Sequence, residues 1–379
     1  MKTSTLCLAI TTFIFNQTVL AQTDQERIKS LEEKVESLTT AFEFNEKARD
    51  SNSTSKVHIG GYGELQYNNL DDDGNDIIRL NFRRFVLFFG YDFNDKARFV
   101  SEFEIENTIV SASDRGAVEL EQAYLEFDLQ DNLSLKTGII LMPVGIISET
   151  HEPTTFYGVN RPIIETTIIP TTWFAAGVAI NHRFENGLSY DLMLSEGLKT
   201  EDPSVSPNND PFDIRAGKQK TSFADAHDLA ITGRIKYTGT AGLELATYAQ
   251  YQPDLDQSAI ISYAESAYLI GGHGIYQFSN FKVTALYARW TLDGTAAETA
   301  GQDIQDGGYI ELSYKPLPKL GFFVRQSTWT QVRGIDNRQT DAGLNYYPYE
   351  DIVFKFDVQV QNEDAGNTDG FNLGMGYQF

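Results

Sequence analysis

From about residue 57 onward, apolar and polar residues alternate along the chain with the period of two that is typical of β-strands. In residues 354–360 every second residue is apolar, and Lys, Asp and Gln lie between. Similar alternation occurs at 98–106, 228–237 and 309–315. Each segment therefore predicts a strand with one apolar face and one polar face. Such faces suit either a soluble sandwich, whose apolar faces meet, or a membrane barrel, whose apolar faces meet lipid.

The connections between the strands distinguish these two folds. We count about sixteen strands, which start near residues 57, 78, 97, 117, 133, 175, 188, 228, 242, 266, 281, 307, 320, 340, 351 and 369. Short turns alternate with long polar loops, the longest at about 142–174, 197–227 and 292–306. This arrangement is typical of outer-membrane barrels, which place short turns in the periplasm and long loops outside. The fold class predicted is all-β, a transmembrane antiparallel β-barrel of about sixteen strands.

The last predicted strand carries a second indication of a barrel. Apolar or aromatic residues occupy every second position from Phe371 to Phe379, and Tyr377 precedes the terminal Phe379 by two. A terminal aromatic residue on an alternating strand resembles the signal that the barrel-assembly machinery recognises in outer-membrane proteins. Tyr377 and Phe379 are therefore the predicted assembly signal. The alternative is an ordinary edge strand that ends on Phe by chance.

The N-terminus predicts export. Lys2 precedes an apolar run at 6–15, and Val19, Leu20 and Ala21 form a plausible cleavage site before Gln22. This is the three-part pattern of a secretory signal peptide, and the run is too short for a transmembrane helix. We predict a cleaved signal peptide at 1–21, whose removal also removes Cys7, the single cysteine.

Residues 22–55 follow a helical period instead. Apolar residues recur at spacings of three and four, at Ile28, Leu31, Val35, Leu38 and Phe42. The stripe predicts a short periplasmic segment that is either a coiled coil or an amphipathic helix at the barrel mouth. A Ser- and Asn-rich linker at 51–55 leads to a barrel domain at 56–379.

Charge and motifs narrow the function. The net charge of −23 argues against a nucleic-acid partner. The histidines are too far apart to form a metal-ligand spacing, so the sequence predicts neither a metal site nor a cofactor. No catalytic motif is found, and we predict that the chain is not an enzyme. An outer-membrane hydrolase, for which His151 with Glu149 and Glu152 is the local cluster to check, and an adhesin or envelope tether remain as alternatives.

Several short motifs carry a resemblance to a known family. They are GGYGE at 60–64, FRRF at 82–85, ELEQAY at 119–124, LKTG at 135–138, PVG at 143–145 and NLGMGYQF at 372–379. With them the chain resembles the phosphate-selective porin O and P family of Gram-negative outer-membrane porins. The resemblance implies a 16-stranded barrel, usually a homotrimer, whose third loop folds inward to narrow a water-filled channel. The implied partners are outer-membrane lipid, lipopolysaccharide, the barrel-assembly machinery, and small ions or solutes as cargo.

The loop after the fifth strand, about 142–173, fits the implied constriction. Prolines stiffen it, and acidic and basic residues share it. Opposed charges across a narrow pore select solutes by charge and size. The predicted constriction residues are Glu149, Glu152, Arg161 and Glu165.

Basic residues on lumen-facing strand positions should form the opposite wall. A charge that faces lipid at mid-bilayer costs roughly 2–4 kcal/mol, so the lumen is the expected side. The candidates are Arg79, Arg83, Lys136, Arg234, Lys236, Arg325 and Lys355. The alternation slips at Arg83 and Arg84, where a bulge could place both at a subunit interface. With 30 basic against 53 acidic residues and no lysine cluster identified, the sequence favours a weakly selective diffusion pore, with anion or phosphate preference as the alternative.

Overall fold

The structure of the protein is a computed structural model that describes residues 56–170, 172–200, 212–257, 265–363 and 366–379. The predicted signal peptide and helical segment lie outside the described residues. The strands are β1 (Val57–Asp72), β2 (Asn75–Asn94), β3 (Ala97–Glu106), β4 (Ala117–Gln130), β5 (Leu133–Leu141), β6 (Phe174–Arg183), β7 (Leu188–Ser195), β8 (Ala230–Thr240), β9 (Leu243–Gln252), β10 (Ala267–Phe278), β11 (Phe281–Leu292), β12 (Ile304–Leu317), β13 (Leu320–Val332), β14 (Ile335–Tyr349), β15 (Ile352–Glu363) and β16 (Gly366–Gln378).

These strands form one closed antiparallel barrel, in which each strand pairs with its neighbours in sequence and β16 pairs with β1. The closing pair includes the C-terminus. Gly61 and Phe379 donate backbone hydrogen bonds to each other, both 2.9 Å long, and the rings of Tyr377 and Phe379 stack. The predicted barrel of about sixteen strands is confirmed. The largest difference in a strand start is at β14, predicted near residue 340 and observed from Ile335.

The two faces of the barrel differ as the alternation predicts. Large apolar side chains point outward and are exposed, for example Ile270 at 64% and Ile310 at 62%. Polar side chains between them point inward and are buried, including Glu102, Thr232 and Arg325. A soluble sandwich would reverse this arrangement, whereas a membrane barrel requires it.

Two long loops fold back into the barrel. Residues 142–173 enter the lumen and contain the short helix α1 (Ile164–Thr167), and residues 212–217 lie beside them. Together with strand residues they form an apolar cluster inside the barrel, which includes all three tryptophans of the chain, Trp173, Trp290 and Trp329. The Trp290 indole N–H donates to the Ile168 carbonyl at 3.0 Å. The period-two alternation of the strands gives no indication of this internal apolar cluster.

A second helix, α2 (Thr295–Ala300), lies in the loop between β11 and β12. It ends at Gly301, whose φ of 71° is in the left-handed region and whose N–H bonds the Ala297 and Glu298 carbonyls, a common helix ending. No helix within the described part of the chain has the length and apolar character needed to cross a membrane.

Candidate pore constriction

The loop at 142–173 crosses the lumen and is held at both sides. On one side, the imidazole of His151 lies 2.9 Å from the Glu102 carboxylate of β3. On the other, Arg325 donates to the Tyr157 carbonyl at 2.7 Å and Lys355 donates to the Gly158 carbonyl at 2.8 Å. The loop therefore lies inside the barrel and narrows it, as the resemblance implies.

Glu165 fastens the loop to the wall. Its buried carboxylate accepts hydrogen bonds from the backbone N–H groups of Ile146 and Ile147, each at 2.6 Å, and from the Tyr309 hydroxyl at 2.8 Å. Burial raises its pKa above the ordinary value, against the lowering effect of these donors. The expectation that Glu165 presents its charge to the pore is corrected here, because its side chain is fully buried. Glu165 therefore anchors the loop to Tyr309 of the barrel wall.

Glu149 meets the basic wall that the sequence predicts. Its carboxylate accepts a hydrogen bond from Arg234 of β8, which also pairs with Asp191 of β7 at 2.8 Å. Lys136 lies close by, with its ammonium 4.9 Å from the centre of the Tyr124 ring. Glu149, Lys136 and Asp191 line a cavity of about 40 Å³. Lys236 lies two positions beyond Arg234 on β8 and is half-buried.

Arg161 and Glu152 are the other two predicted constriction residues of the same loop. Arg161 donates to the Thr172 hydroxyl at 3.0 Å and to the His151 carbonyl at 3.2 Å, while its Nε has no partner within the described residues. Burial and the neighbouring Arg84 lower its pKa. Glu152 is buried, burial raises its pKa, and one of its carboxylate oxygens likewise lacks a partner there. Arg161 therefore presents unsatisfied positive charge toward the cavity beside it.

That cavity has a volume of about 440 Å³ and lies between the loop and the barrel wall. Its basic lining residues are Arg83, Arg84, Arg161, Arg215, Lys218 and Lys220. Its acidic lining residues are Glu104, Glu106, Glu119, Glu121 and Asp213. We call this space the charged cavity. Three of the cations come from the loop between β7 and β8.

Those three cations were missed in the sequence. Arg215, Lys218 and Lys220 lie at spacings of three and two in one polar loop, so a cluster was readable there. The Lys218 ammonium donates to the Thr172 carbonyl at 3.0 Å. Burial, together with the positive charges of Lys220 and Arg215, lowers the pKa of Lys218 to about 8. This loop therefore carries a basic cluster of two lysines and one arginine.

A β-bulge explains the slipped alternation on β2. Arg84 pairs in register with Glu64 and Phe82 with Leu65, so Arg83 is the additional residue. Both arginines consequently line the charged cavity, which corrects the alternative that placed them at a subunit interface. Arg83 pairs with Glu106 at 2.9 Å, and Arg84 pairs with Glu64 at 3.2 Å.

The remaining wall candidates have other positions. Arg79 lies near the start of β2, at the end of the barrel that carries the long loops. It is exposed and does not line the charged cavity. Arg325 is buried and pairs with Glu311 at 2.7 Å, and Lys355 is buried against the Phe156 ring at 3.6 Å. The last two therefore hold the inserted loop in place, whereas Arg83 borders the charged cavity and Lys136 borders the smaller one.

Comparison with known proteins agrees with this architecture. The family described as "Phosphate-selective porin O and P" matches residues 55–379. A protein of Aquifex aeolicus (strain VF5), described as uncharacterized, is 30% identical over 328 residues, which cover 85% of this chain and 72% of that protein.

Solved structures share the fold at low sequence identity. The outer membrane channel DcaP of Acinetobacter baumannii is 14% identical with a TM-score of 0.56, covering 85% of this chain and 97% of that chain. An anion-selective porin from Comamonas acidovorans is 11% identical with a TM-score of 0.60, covering 85% and 99%. The trimer form of OmpT, an outer membrane protein of Vibrio cholerae, is 11% identical with a TM-score of 0.53, covering 86% and 100%. From the family match and the closed 16-stranded barrel, this chain belongs to the phosphate-selective porin O and P family and forms an outer-membrane channel.

Proposed function

We propose that this channel passes small hydrophilic solutes with a preference for anions, phosphate among them. The carrying observation is the charged cavity, where six basic side chains meet five acidic ones although the whole chain has a net charge of −23. Within the described residues, Arg161 and Arg215 form no ion pair with a carboxylate. The anion-selective porin from Comamonas acidovorans with the same fold adds support.

The arrangement favours anions for a simple physical reason. Guanidinium groups that are not neutralised by carboxylates attract anions, and phosphate matches their paired N–H donors. In a narrow site with low-dielectric walls this attraction is screened less than at an open surface. The Glu149–Arg234 pair on the other side of the loop is neutralised internally, so it constrains size more than it selects charge.

Reversal potentials in a potassium chloride gradient across a planar bilayer test this proposal. The wild type should favour chloride over potassium, and added phosphate should reduce its chloride current. Loss of a positive charge about 6 Å from the ion path raises the energy of a monovalent anion there by roughly 0.7 kcal/mol even at the dielectric constant of water, and it lowers that of a cation equally. This is about threefold in the permeability of each ion and about tenfold in their ratio. Arg161→Met should show at least this loss of anion preference.

Arg333→Met is the matched control, because Arg333 is exposed and paired with Asp303 outside the cavity. It should behave as the wild type. If Arg161→Met and Arg333→Met give the same reversal potential as the wild type, the anion proposal is wrong and a general diffusion pore remains. If correctly folded protein carries no current, the proposed conduction itself is wrong.

Export and assembly are further parts of the proposal. Residues 1–21 are a cleaved signal peptide, 22–55 form a periplasmic helical segment, and 56–379 form the barrel, which agrees with the family match at 55–379. The C-terminal Phe379 serves the barrel-assembly machinery, lipopolysaccharide surrounds the outer-leaflet end, and three copies form a homotrimer. The trimer form of OmpT supports the last point by analogy of fold. Mass spectrometry of the mature N-terminus and light scattering of detergent-purified protein test cleavage and oligomeric state.

Membership in a porin family favours a channel over the hydrolase and tether alternatives. The cluster to check for catalysis was His151 with Glu149 and Glu152. In the structure Glu149 pairs with Arg234, whereas His151 contacts Glu102. The two acidic neighbours of His151 in sequence are therefore not its principal partners in space.

A further inference from the structure

We propose that His151, Glu102 and Glu121 form a binding site for a divalent transition-metal ion such as Zn²⁺, which ties the inserted loop to the barrel wall. One ligand atom from each side chain lies within 4.8 Å of the other two, and all three side chains are buried. His151 belongs to the loop, Glu102 to β3 and Glu121 to β4. Bound metal would join the inserted loop to the paired strands β3 and β4.

The spacing suits a small ion. The His151 Nε2 atom lies 2.9 Å from one Glu102 oxygen and 3.6 Å from one Glu121 oxygen. Zinc binds nitrogen and oxygen at roughly 2.0–2.2 Å in tetrahedral geometry, which places ligand atoms about 3.4 Å apart. Small shifts of the three side chains are therefore enough to surround the ion.

The groups behind the ligands are those that metal sites use. The His151 Nδ1 atom lies 3.1 Å from the Ser148 carbonyl, which leaves Nε2 as the ligand atom when the ring is neutral. Gln122 donates a hydrogen bond to the second Glu102 oxygen at 2.7 Å and orients that carboxylate. Metal binding would release the Nε2 proton to solvent, and the ion would take its place between the ligands.

A second β-bulge supplies the third ligand. On β4, Gln122 pairs in register with Glu102 and Leu120 with Phe103, so Glu121 is the additional residue. Adjacent residues on a regular strand point to opposite faces, yet Glu121 and Gln122 are both buried on the lumen side. Bulges often redirect a side chain at a functional site.

Unpartnered buried atoms also point to a missing ligand. One Glu121 oxygen, one Glu152 oxygen and the Tyr62 hydroxyl have no hydrogen-bond partner within the described residues, and all three residues are at most 3% exposed. The Tyr62 ring lies edge-on to the His151 ring at 5.9 Å. Buried polar atoms usually find a partner, so a cation here would satisfy a local excess of carboxylate charge.

Isothermal titration calorimetry tests the proposal on the purified mature protein in detergent, after dialysis against EDTA. Zn²⁺ should bind at a site that Glu121→Gln and His151→Gln each weaken by about 100-fold or more, since even second-shell changes cost 10–100-fold. Mg²⁺ and Ca²⁺ should bind more weakly, because the imidazole favours transition metals. Zn²⁺ should also raise the melting temperature of the wild type and leave that of Glu121→Gln unchanged.

His273→Gln is the matched control. His273 is also buried and lies 2.9 Å from a glutamate, Glu244, but it is not among the described groups of three potential ligands. It should retain wild-type zinc affinity. Absence of zinc binding, binding that survives Glu121→Gln and His151→Gln, or equal loss in His273→Gln would each overturn the site. These measurements involve no conductance, so they are independent of the proposed anion preference.

Discussion

The anchoring role of Glu165 makes a quantitative prediction for Glu165→Ala. The substitution leaves the N–H groups of Ile146 and Ile147 and the Tyr309 hydroxyl without their acceptor. Each buried group that loses its partner costs roughly 1–3 kcal/mol. Water that enters the space of the lost side chain would bond some of these three groups. We therefore expect the low end of the range for each group, which makes a loss of about 3 kcal/mol in the free energy of unfolding.

The matched variant is Glu165→Gln, which keeps an oxygen acceptor of the same size. Because burial raises the pKa of Glu165, its contribution to stability is fully present below the ordinary value near 4.5 and declines as pH rises through the folded-state pKa. Gln cannot titrate. Relative to the wild type, Glu165→Gln should therefore gain stability as pH rises from 4.5 toward neutrality, whereas Glu165→Ala should be less stable at every pH.

Tryptophan fluorescence during urea unfolding measures both effects. The three tryptophans lie in the apolar cluster that the loop forms with the barrel wall, so their emission should shift to longer wavelength when the loop detaches from the wall. Single-channel recordings should show more frequent current fluctuations in Glu165→Ala. If Glu165→Ala has the same stability, tryptophan emission and current noise as the wild type, Glu165 does not anchor the loop.

Arg325, Lys218 and Phe379 can be tested in the same way. Arg325→Met leaves Glu311 and Asp341 buried without their cation, and urea unfolding should show a loss of about 3–5 kcal/mol that Arg325→Lys partly restores. Since the pKa of Lys218 is lowered to about 8, its charge is lost as pH rises through that value. Anion preference measured by reversal potential should therefore fall between about pH 7 and 9, and Lys218→Met should abolish this change. Deletion of Phe379 removes the two backbone hydrogen bonds with Gly61 at the end of the β1–β16 ladder. Heat-modifiable gel mobility should therefore show less folded protein in the outer membrane, with truncation of the exposed loop at 111–114 as an unaffected control.

The strands were predictable because successive side chains of a barrel strand point in turn to the lipid and to the lumen. Lipid outside and polar surroundings inside impose the period of two, and the turns mark each reversal of direction. The start of β1 at Val57 and that of β11 at Phe281 were therefore placed correctly from sequence alone. The start of β14 was placed too late, because Asp336, Asn337 and Arg338 carry no apolar alternation to mark it.

The candidate site was only partly predictable. Prolines and charges identified the inserted loop, and the pairing of Glu149 with Arg234 lies where opposed charges were expected. The exposure of each charge could not be predicted, since Glu165 is buried by backbone donors close in space rather than by its own neighbours in sequence. Lys218 was missed for a similar reason, because it lies 46 residues after Thr172, and its loop must fold inward before the two can meet.

Two β-bulges account for the slips in the alternation on β2 and β4, and they also change which side chains face the lumen. One additional residue on β2 turns both Arg83 and Arg84 inward, and one on β4 does the same for Glu121 and Gln122. Because side chains otherwise alternate with a period of two, a single inserted residue lets two successive polar side chains face the lumen at that level of the strand. The two bulges therefore concentrate charge along β2–β4.

Apolar side chains pack against another part of the inserted loop. Trp290 of β11 and Trp329 of β13 join the apolar cluster, and the α1 residue Ile164 packs into it. The inserted loop thus has an apolar part that packs with Trp290 and Trp329 and a polar side, with Arg161, that faces the charged cavity. Hydrated solutes should pass on the polar side alone, because crossing the packed apolar cluster would cost them their hydration. Substitutions of Trp329 should consequently alter stability before selectivity, whereas substitutions of Arg83 should alter selectivity first.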